Sequence, residues 1–261
     1  MRAAATALSA DSIALIDYRY RLQTSRTCWI ETPEGAVVVK GQRPARGPVR
    51  YRLLSWLAGA LKNPLMIPVP NYGGVKSQRI EVDRLRRLAS AGLSVPNVLY
   101  ETESYFVMQG FPGVPLDSKL ALPKDQSSPA FDRGLKAISL VHAFGECLSQ
   151  GFARNILIDD VDGLWFIDHE DDPLEVLTLP QAQARDWLLY LLSSVWLNRS
   201  LWGEWNIAWR EAYGSMPADT QNQLTETGSK IRWLTHLPRS RQILGRDVTQ
   251  AQALSEFLNM E

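Results

Sequence analysis

Residues 142–172 run HAFGECLSQGFARNILIDDVDGLWFIDHEDD, and they say more about architecture than any other part of the chain. A helical stretch, Leu135 to Gly145, leads into a loop, and two short β-favouring runs follow, Asn155–Ile158 and Leu164–Ile167. Asp162-Gly163 between the two runs is a dipeptide suited to a hairpin turn. Asp168 closes the second, apolar run, where a carboxylate withdrawn from water needs a partner. Asn155, taken alone, simply begins a strand.

Upstream, the chain reads as strands followed by a helix. Ile13–Leu22, Thr27–Thr32 and Ala36–Lys40 are β-favouring runs, and Thr32-Pro33-Glu34-Gly35 has the chemistry of a tight turn between the last two. Lys40 therefore ends a strand reading Val37-Val38-Val39-Lys40. Residues 41–75 break the pattern: arginines at 43, 46, 50 and 52 lead into Leu53, Leu54, Trp56, Leu57 and Leu61, then into PLMIPVPNYGG. This insertion reads as a short amphipathic helix with a basic entrance. From Ser77 a helix carries Ile80, Leu85 and Leu88 on an apolar stripe, with Glu81 beside it, and stops at Ala91-Gly92. Strands are expected at 98–101 and 105–108. GFPGVPLDSKL, from Gly110 to Leu120, has the Gly and Pro density of a linker, which puts a lobe boundary between residues 1–112 and 113–261. Leu179–Leu197 is a long Trp- and Leu-rich helix, and the rest of the second lobe reads as mostly helical.

A strand ending in lysine, a helix with an internal glutamate, a Gly-Pro linker, then helix, loop and a strand ending in Ile-Asp is the order of parts found in kinases. His142-Ala-Phe-Gly145 followed by Gln150-Gly-Phe-Ala-Arg-Asn155-Ile-Leu resembles the HxxG...HGDxxxxNIL segment of that superfamily. Phe166-Ile-Asp168-His-Glu170 resembles the metal-binding Ile-Asp-Phe-Glu of the lipopolysaccharide kinases. The resemblance extends over about residues 35–200. Within it, SVPNVLYETESYFVMQGFPG and IDHEDDPLEVLTLPQAQARDWLLYL look like the bacterial lipopolysaccharide core heptose and Kdo kinases and their RIO-like relatives. It implies an α+β, two-lobed protein-kinase-like fold, with a small antiparallel sheet and one long helix in the first lobe and a mainly helical second lobe. It also implies an ATP- and Mg2+-dependent phosphotransferase of the Gram-negative envelope, acting on a lipid-linked sugar or a protein. In that reading Lys40 holds the ATP phosphates, Glu81 orients Lys40, and Asn155 and Asp168 supply hard oxygen ligands to magnesium.

The sequence departs from that pattern in two places. Gln150 stands where the catalytic aspartate is expected, after Leu148-Ser149 in place of His-Gly, and an amide has no usable basic site at neutral pH. No Gly-rich flap motif occurs between residues 20 and 35, where Gly35 is the sole glycine. Glu170 and Asp171 are the carboxylates nearest in sequence to take over as base. The alternative is a pseudokinase, which uses the cleft to bind nucleotide or a partner without phosphotransfer.

Plainer readings stand beside these. Lys40 could be a solvated strand end, and Glu81, in a helix with Arg79, Arg84, Arg86 and Arg87, part of a surface charge network. His142, His169 and His236 have no metal-ligand spacing and read as structural. Trp196, Trp202, Trp205 and Trp209 read as helix packing. With 28 basic and 28 acidic residues and 45% hydrophobic content, the chain excludes disordered and fibrous classes and gives no electrostatic argument for a nucleic-acid partner. Cys28 and Cys147 form neither a zinc set nor a disulfide framework. No secretory signal is evident, and Trp187–Leu197 is about half the roughly 20 apolar residues of a spanning helix. A cytoplasmic location is expected, with peripheral contact at the inner membrane through residues 43–61 as a further expectation.

Overall fold

The computed structural model describes residues 7–43, 63–238 and 241–260. The first lobe begins with helix α1 (Ala10–Leu22), then strands β1 (Thr27–Thr32) and β2 (Gly35–Gly41), helix α2 (Gly74–Ser90), and strands β3 (Val98–Glu101) and β4 (Tyr105–Gln109). The strands form one antiparallel sheet in the order β1-β2-β4-β3, with Lys40 paired to Thr27 on one side and Phe106 on the other. The Thr32–Gly35 turn is tight, as its residues require, and Gly92 ends α2 with φ +85°.

Helix α1 corrects the sequence reading, which put a strand over Ile13–Leu22. Ser9 caps it by accepting from the Ser12 amide, and the residues turned inward, Ser12 and Ile16, recur at helical spacing. Ile16 is fully buried against Ile30, Val37, Val39, Tyr105 and Val107, a burial worth roughly 1.5–3 kcal/mol. Alternation of apolar and polar residues in a ten-residue run cannot distinguish this stripe from a half-buried strand. The amphipathic helix expected after Arg46 lies outside the described residues. Helix α2 starts at Gly74, three residues before the expected Ser77.

After β4 the chain passes through Gly110 tightly against β2: the Gly110 amide donates to Ala36 O at 2.9 Å, and a Cβ there would lie 3.0 Å from the Ala36 carbonyl. The second lobe opens with β5 (Val114–Pro115), α3 (Leu116–Leu120) and α4 (Lys124–Ala143), which is longer than the Leu135–Gly145 read from sequence. Strands β6 (Ile156–Ile158) and β7 (Leu164–Phe166) follow, and β5-β6-β7 make a small antiparallel sheet. Helices α5 (Leu179–Ser194), α6 (Trp202–Gly214), α7 (Ala218–Ile231) and α8 (Arg241–Leu258) complete it, the last kinked at Gly245. Their shared core holds Phe131, Trp187, Tyr190, Trp205 and Phe257, with Phe131 stacked on Trp205 at 4.5 Å. Trp205 and Trp209 are buried there, as a packing stripe should be. The architecture is thus α+β in two lobes, a small antiparallel sheet with helices α1 and α2 before a mainly helical part. No described helix is long and apolar enough to cross a membrane.

Candidate functional site

Val37 and Val39 of β2 are buried on the face that packs with Ile16 of α1, and Lys40, the residue before the last of the strand, lies on the alternate face with Val38, toward the cleft. Lys40 is 7% exposed, and its Nζ donates to Glu81 Oε1 of α2 at 2.6 Å. Neither residue is a solvated surface charge. The same ammonium lies 3.2 Å from Asp168 Oδ1 and 3.2 Å from Glu170 Oε1. Burial alone would lower the Lys40 pKa, but the carboxylates of Glu81, Asp168 and Glu170 outweigh it and hold the amine charged. Burial raises the Glu81 pKa, opposed by Lys40.

The β6–β7 hairpin brings up the other half. Asn155 sits in a single 3-10 turn just before β6; its Nδ2 donates to Gln150 O at 3.0 Å and its own carbonyl accepts from the Ile167 amide at 3.0 Å. With Nδ2 committed, Oδ1 is the end of the amide able to meet a ligand. Asp168, next along from Ile167, has φ +68°, a left-handed conformation that aspartate tolerates better than most residues but that still costs of order 1–3 kcal/mol. The conformation aims its carboxylate at Lys40 and away from the apolar strand.

Between the sheet and the hairpin lies a cleft of about 540 Å3. Trp29 and Val38 line it from above, Met108 and Phe111 along the linker, and Leu157 and Ile167 from below. Lys40, Asn155, Asp168 and Glu170 form its polar end. An apolar slot with polar groups converging at one end is the usual form of a small-molecule site. Mg2+ is commonly held by one or two protein oxygens plus substrate phosphates, and Asn155 Oδ1 with the Asp168 carboxylate is a donor set of that kind. Among the described residues there is no cluster of three or more His, Cys, Asp or Glu that could hold a metal ion unaided. A nucleotide with its metal therefore fits the chemistry present.

Gln150 lies in the loop before Asn155, and its Nε2 is buried without a hydrogen-bond partner. Glu170 is 2% exposed and turned toward cations: Arg26 and Arg43 both donate to it, the latter at 2.8 Å. Burial would raise its pKa, but Lys40, Arg26 and Arg43 together hold it well below the ordinary carboxylate range. Asp171 is buried, with its carbonyl accepting from Ser149 Oγ. His169 is buried and its pKa is pushed down to about 3, by burial first and by the nearby Arg84, so the ring is neutral.

Three contributors escaped the sequence reading. Arg84, expected on a charged surface, is 2% exposed and ties α2 to the loop through Cys147 O at 2.8 Å and to Asp172 at 2.8 Å. Asp186 of α5 is 1% exposed, accepts from the Leu148 amide at 2.7 Å and has His142 Nε2 at 3.0 Å, fixing the loop that carries Gln150. A carboxylate inside the apolar run ARDWLLYL was the available signal, since a buried charge needs a partner. Arg26 is the third, and nothing adjacent to it in sequence marks it out.

No protein-family model matches the chain, and no curated protein does. Among solved structures, it is similar to an aminoglycoside-3'-phosphotransferase of type VIII, at 15% identity and TM-score 0.41, over 94% of this chain and 98% of that one. It is also similar to a MAP kinase of Leishmania major, at 11% identity and TM-score 0.40, over 94% of this chain and 81% of that one. With both scores below 0.5, the geometry of the cleft itself is the ground for a functional reading.

Proposed function

We propose that the chain is a kinase-like, ATP-dependent phosphotransferase whose cleft takes Mg·ATP between the sheet and the β6–β7 hairpin. The observation that carries this is Lys40, buried at the cleft wall, held by Glu81 at 2.6 Å and facing Asp168 at 3.2 Å. A fixed cation beside a carboxylate and an amide oxygen is what a polyphosphate and its metal require. Lys40 takes the phosphates, Glu81 positions Lys40, and Asn155 Oδ1 and Asp168 hold the metal, which would neutralise charge on the transferring group. Phosphoryl transfer through a loose transition state depends chiefly on positioning and electrostatics, so a missing base weakens it without abolishing the chemistry. Glu170, bound by three cations, serves as a counter-ion in this scheme rather than as a proton acceptor. Asp171 is the other acidic group beside the metal residues. The resemblance to lipopolysaccharide kinases supports a lipid-linked sugar or an envelope protein as acceptor, met at the inner membrane.

One observation favours the second reading, a pseudokinase scaffold: an amide, Gln150, occupies the position of the base with its nitrogen buried. Melting of the protein with ATP, with and without magnesium, beside Asp168→Ala and with release or transfer of labelled γ-phosphate followed in parallel, separates the two. We expect a magnesium-dependent rise in Tm, absent from Asp168→Ala, together with slow phosphate transfer. Binding without any turnover makes a nucleotide-binding scaffold the answer, and no shift at saturating ATP removes the phosphotransferase and leaves a scaffold that uses the cleft for a partner alone.

A further inference from the structure

From the geometry we infer that Arg26 and Arg43 are a polyphosphate clamp that does the work of the absent Gly-rich flap, with Glu170 as the internal anion that holds them while no nucleotide is bound. The inference rests on the nucleotide reading of the cleft and names the side chains that would recognise the outer phosphates.

The chain before β1 is helix α1, so among the described residues no glycine loop covers the polar end of the cleft. The cover there is the short connection from α1 to β1, and its last residue is Arg26. It is mounted firmly on the strand that bears Lys40: Arg26 Nε donates to Gly41 O at 2.9 Å, and the Gly41 amide donates to Arg26 O at 2.8 Å. A Cβ at residue 41 would lie 2.9 Å from Tyr20 Oη but at an ordinary 3.4 Å from Arg26 O, so the glycine makes room for the tyrosine. Arg43, two residues beyond β2, reaches the same place from the other side. Both guanidinium groups line the cleft, with side chains 29% and 39% exposed, and both close on Glu170, which is 3% exposed.

Three cations, Arg26, Lys40 and Arg43, thus meet three carboxylates, Glu81, Asp168 and Glu170. A carboxylate offers arginine two negatively charged acceptor oxygens, as does any pair of oxygens on a tetrahedral phosphate. Glu170 therefore keeps both arginines ordered, and a polyphosphate at the cleft mouth presents them with more acceptor oxygens and more negative charge. Adenosine, which has no phosphate, would make no use of them.

Calorimetric titration with Mg·ATP and, separately, with adenosine tests this on the full chain as wild type, Arg26→Gln and Arg43→Gln. We expect each substitution to weaken ATP binding about tenfold or more, the scale of one charge-assisted hydrogen-bonded pair, and to leave adenosine binding within about twofold. Should Arg26→Gln fail to fold, Arg43→Gln, the more exposed of the two, decides the matter, with Arg26→Lys as the variant that keeps charge without the fork. Wild-type binding of ATP that neither substitution weakens, or that falls in step with adenosine, overturns the clamp and leaves the nucleotide site standing. Wild type that binds neither ligand overturns the nucleotide reading and the clamp with it.

Discussion

Glu81 and Asp186 are almost equally withdrawn from solvent, at 2% and 1% exposure, yet the protein satisfies them in opposite ways. Glu81 holds a lysine that also faces Asp168 and Glu170, with Arg26 Nη2 at 4.0 Å, so its surroundings contain more charge than one carboxylate needs. Asp186 is met by one backbone amide and one imidazole, and burial raises its pKa against the pull of His142. The first arrangement opens onto a cleft, and the second lies where α4, α5 and the loop before Asn155 meet. The difference separates two uses of a buried carboxylate. Several alternative partners for each charge allow a ligand to enter and exchange for some of them, whereas a minimal set of partners fixes a backbone and leaves nothing to exchange.

The largest effect should come from breaking the minimal set. Asp186→Ala strands the Leu148 amide in the interior and removes the partner of His142, and should cost about 3 kcal/mol in urea denaturation. The loss should be present without ATP and at least as large with it, since Asp186 fixes the loop whose Gln150 carbonyl holds Asn155. A loss below about 1 kcal/mol would mean that the loop is held by packing and not by this carboxylate. Lys40→Met probes the redundant set, and its effect should appear chiefly in the liganded protein. The roughly 2.7 kcal/mol that a ligand at a hundredfold excess over its Kd contributes should vanish for Mg·ATP. The unliganded loss should stay below that of Asp186→Ala, because Arg26 still neighbours Glu81 and a carboxyl whose pKa is already raised can take up a proton. Equal losses in the two variants would erase the distinction.

The contrast also explains what could be read from the chain. Of Lys40, Glu81, Asn155 and Asp168 only Asp168 stands out locally, as a carboxylate closing an apolar run, and the other three are picked out by standing with it in the order of parts found in kinases. The two lobes were legible because periodicity changes on either side of Gly110. Arg26, Arg43 and Arg84 were not, because arginine is ordinary on any surface and their partners lie 144, 127 and 88 residues away, at Glu170, Glu170 and Asp172. Helix α1 was misread because a β-branched and aromatic run satisfies either period until one knows which side chains meet the sheet.

Gly151 lies where the two clusters come closest through the backbone, and it sharpens the comparison. A Cβ there would lie 2.9 Å from Asp186 O and 3.1 Å from its Cα, both backbone atoms that cannot swing away. Gly151→Ala should cost about 2 kcal/mol by overpacking. Because Gln150 O holds Asn155 Nδ2, the displaced loop should also weaken magnesium-dependent ATP binding while leaving adenosine binding intact. Unchanged magnesium dependence would show that Asn155 is positioned by the β6–β7 hairpin alone.

A third carboxylate calibrates the other two, because it is well bonded but lies near solvent. Glu34, in the β1–β2 turn, accepts from the Ser9 amide at 3.1 Å and from Ser12 Oγ, tying the turn to the first residues of α1. These hydrogen bonds, led by that of Ser12, lower its pKa from 4.5 to about 2. A folded-state pKa below the unfolded one means that the contribution is complete above about pH 4.5 and is lost as pH falls through about 2. Hydrogen exchange should therefore show the amides at the start of α1 losing protection across that window, before any loss in the α2 amides around Glu81. In Glu34→Gln the α1 amides should be less protected at neutral pH and should no longer respond between pH 4.5 and 2. Water already competes for the Glu34 oxygens, so the change should stay confined to one helix end, where removal of Asp186 disturbs a whole lobe.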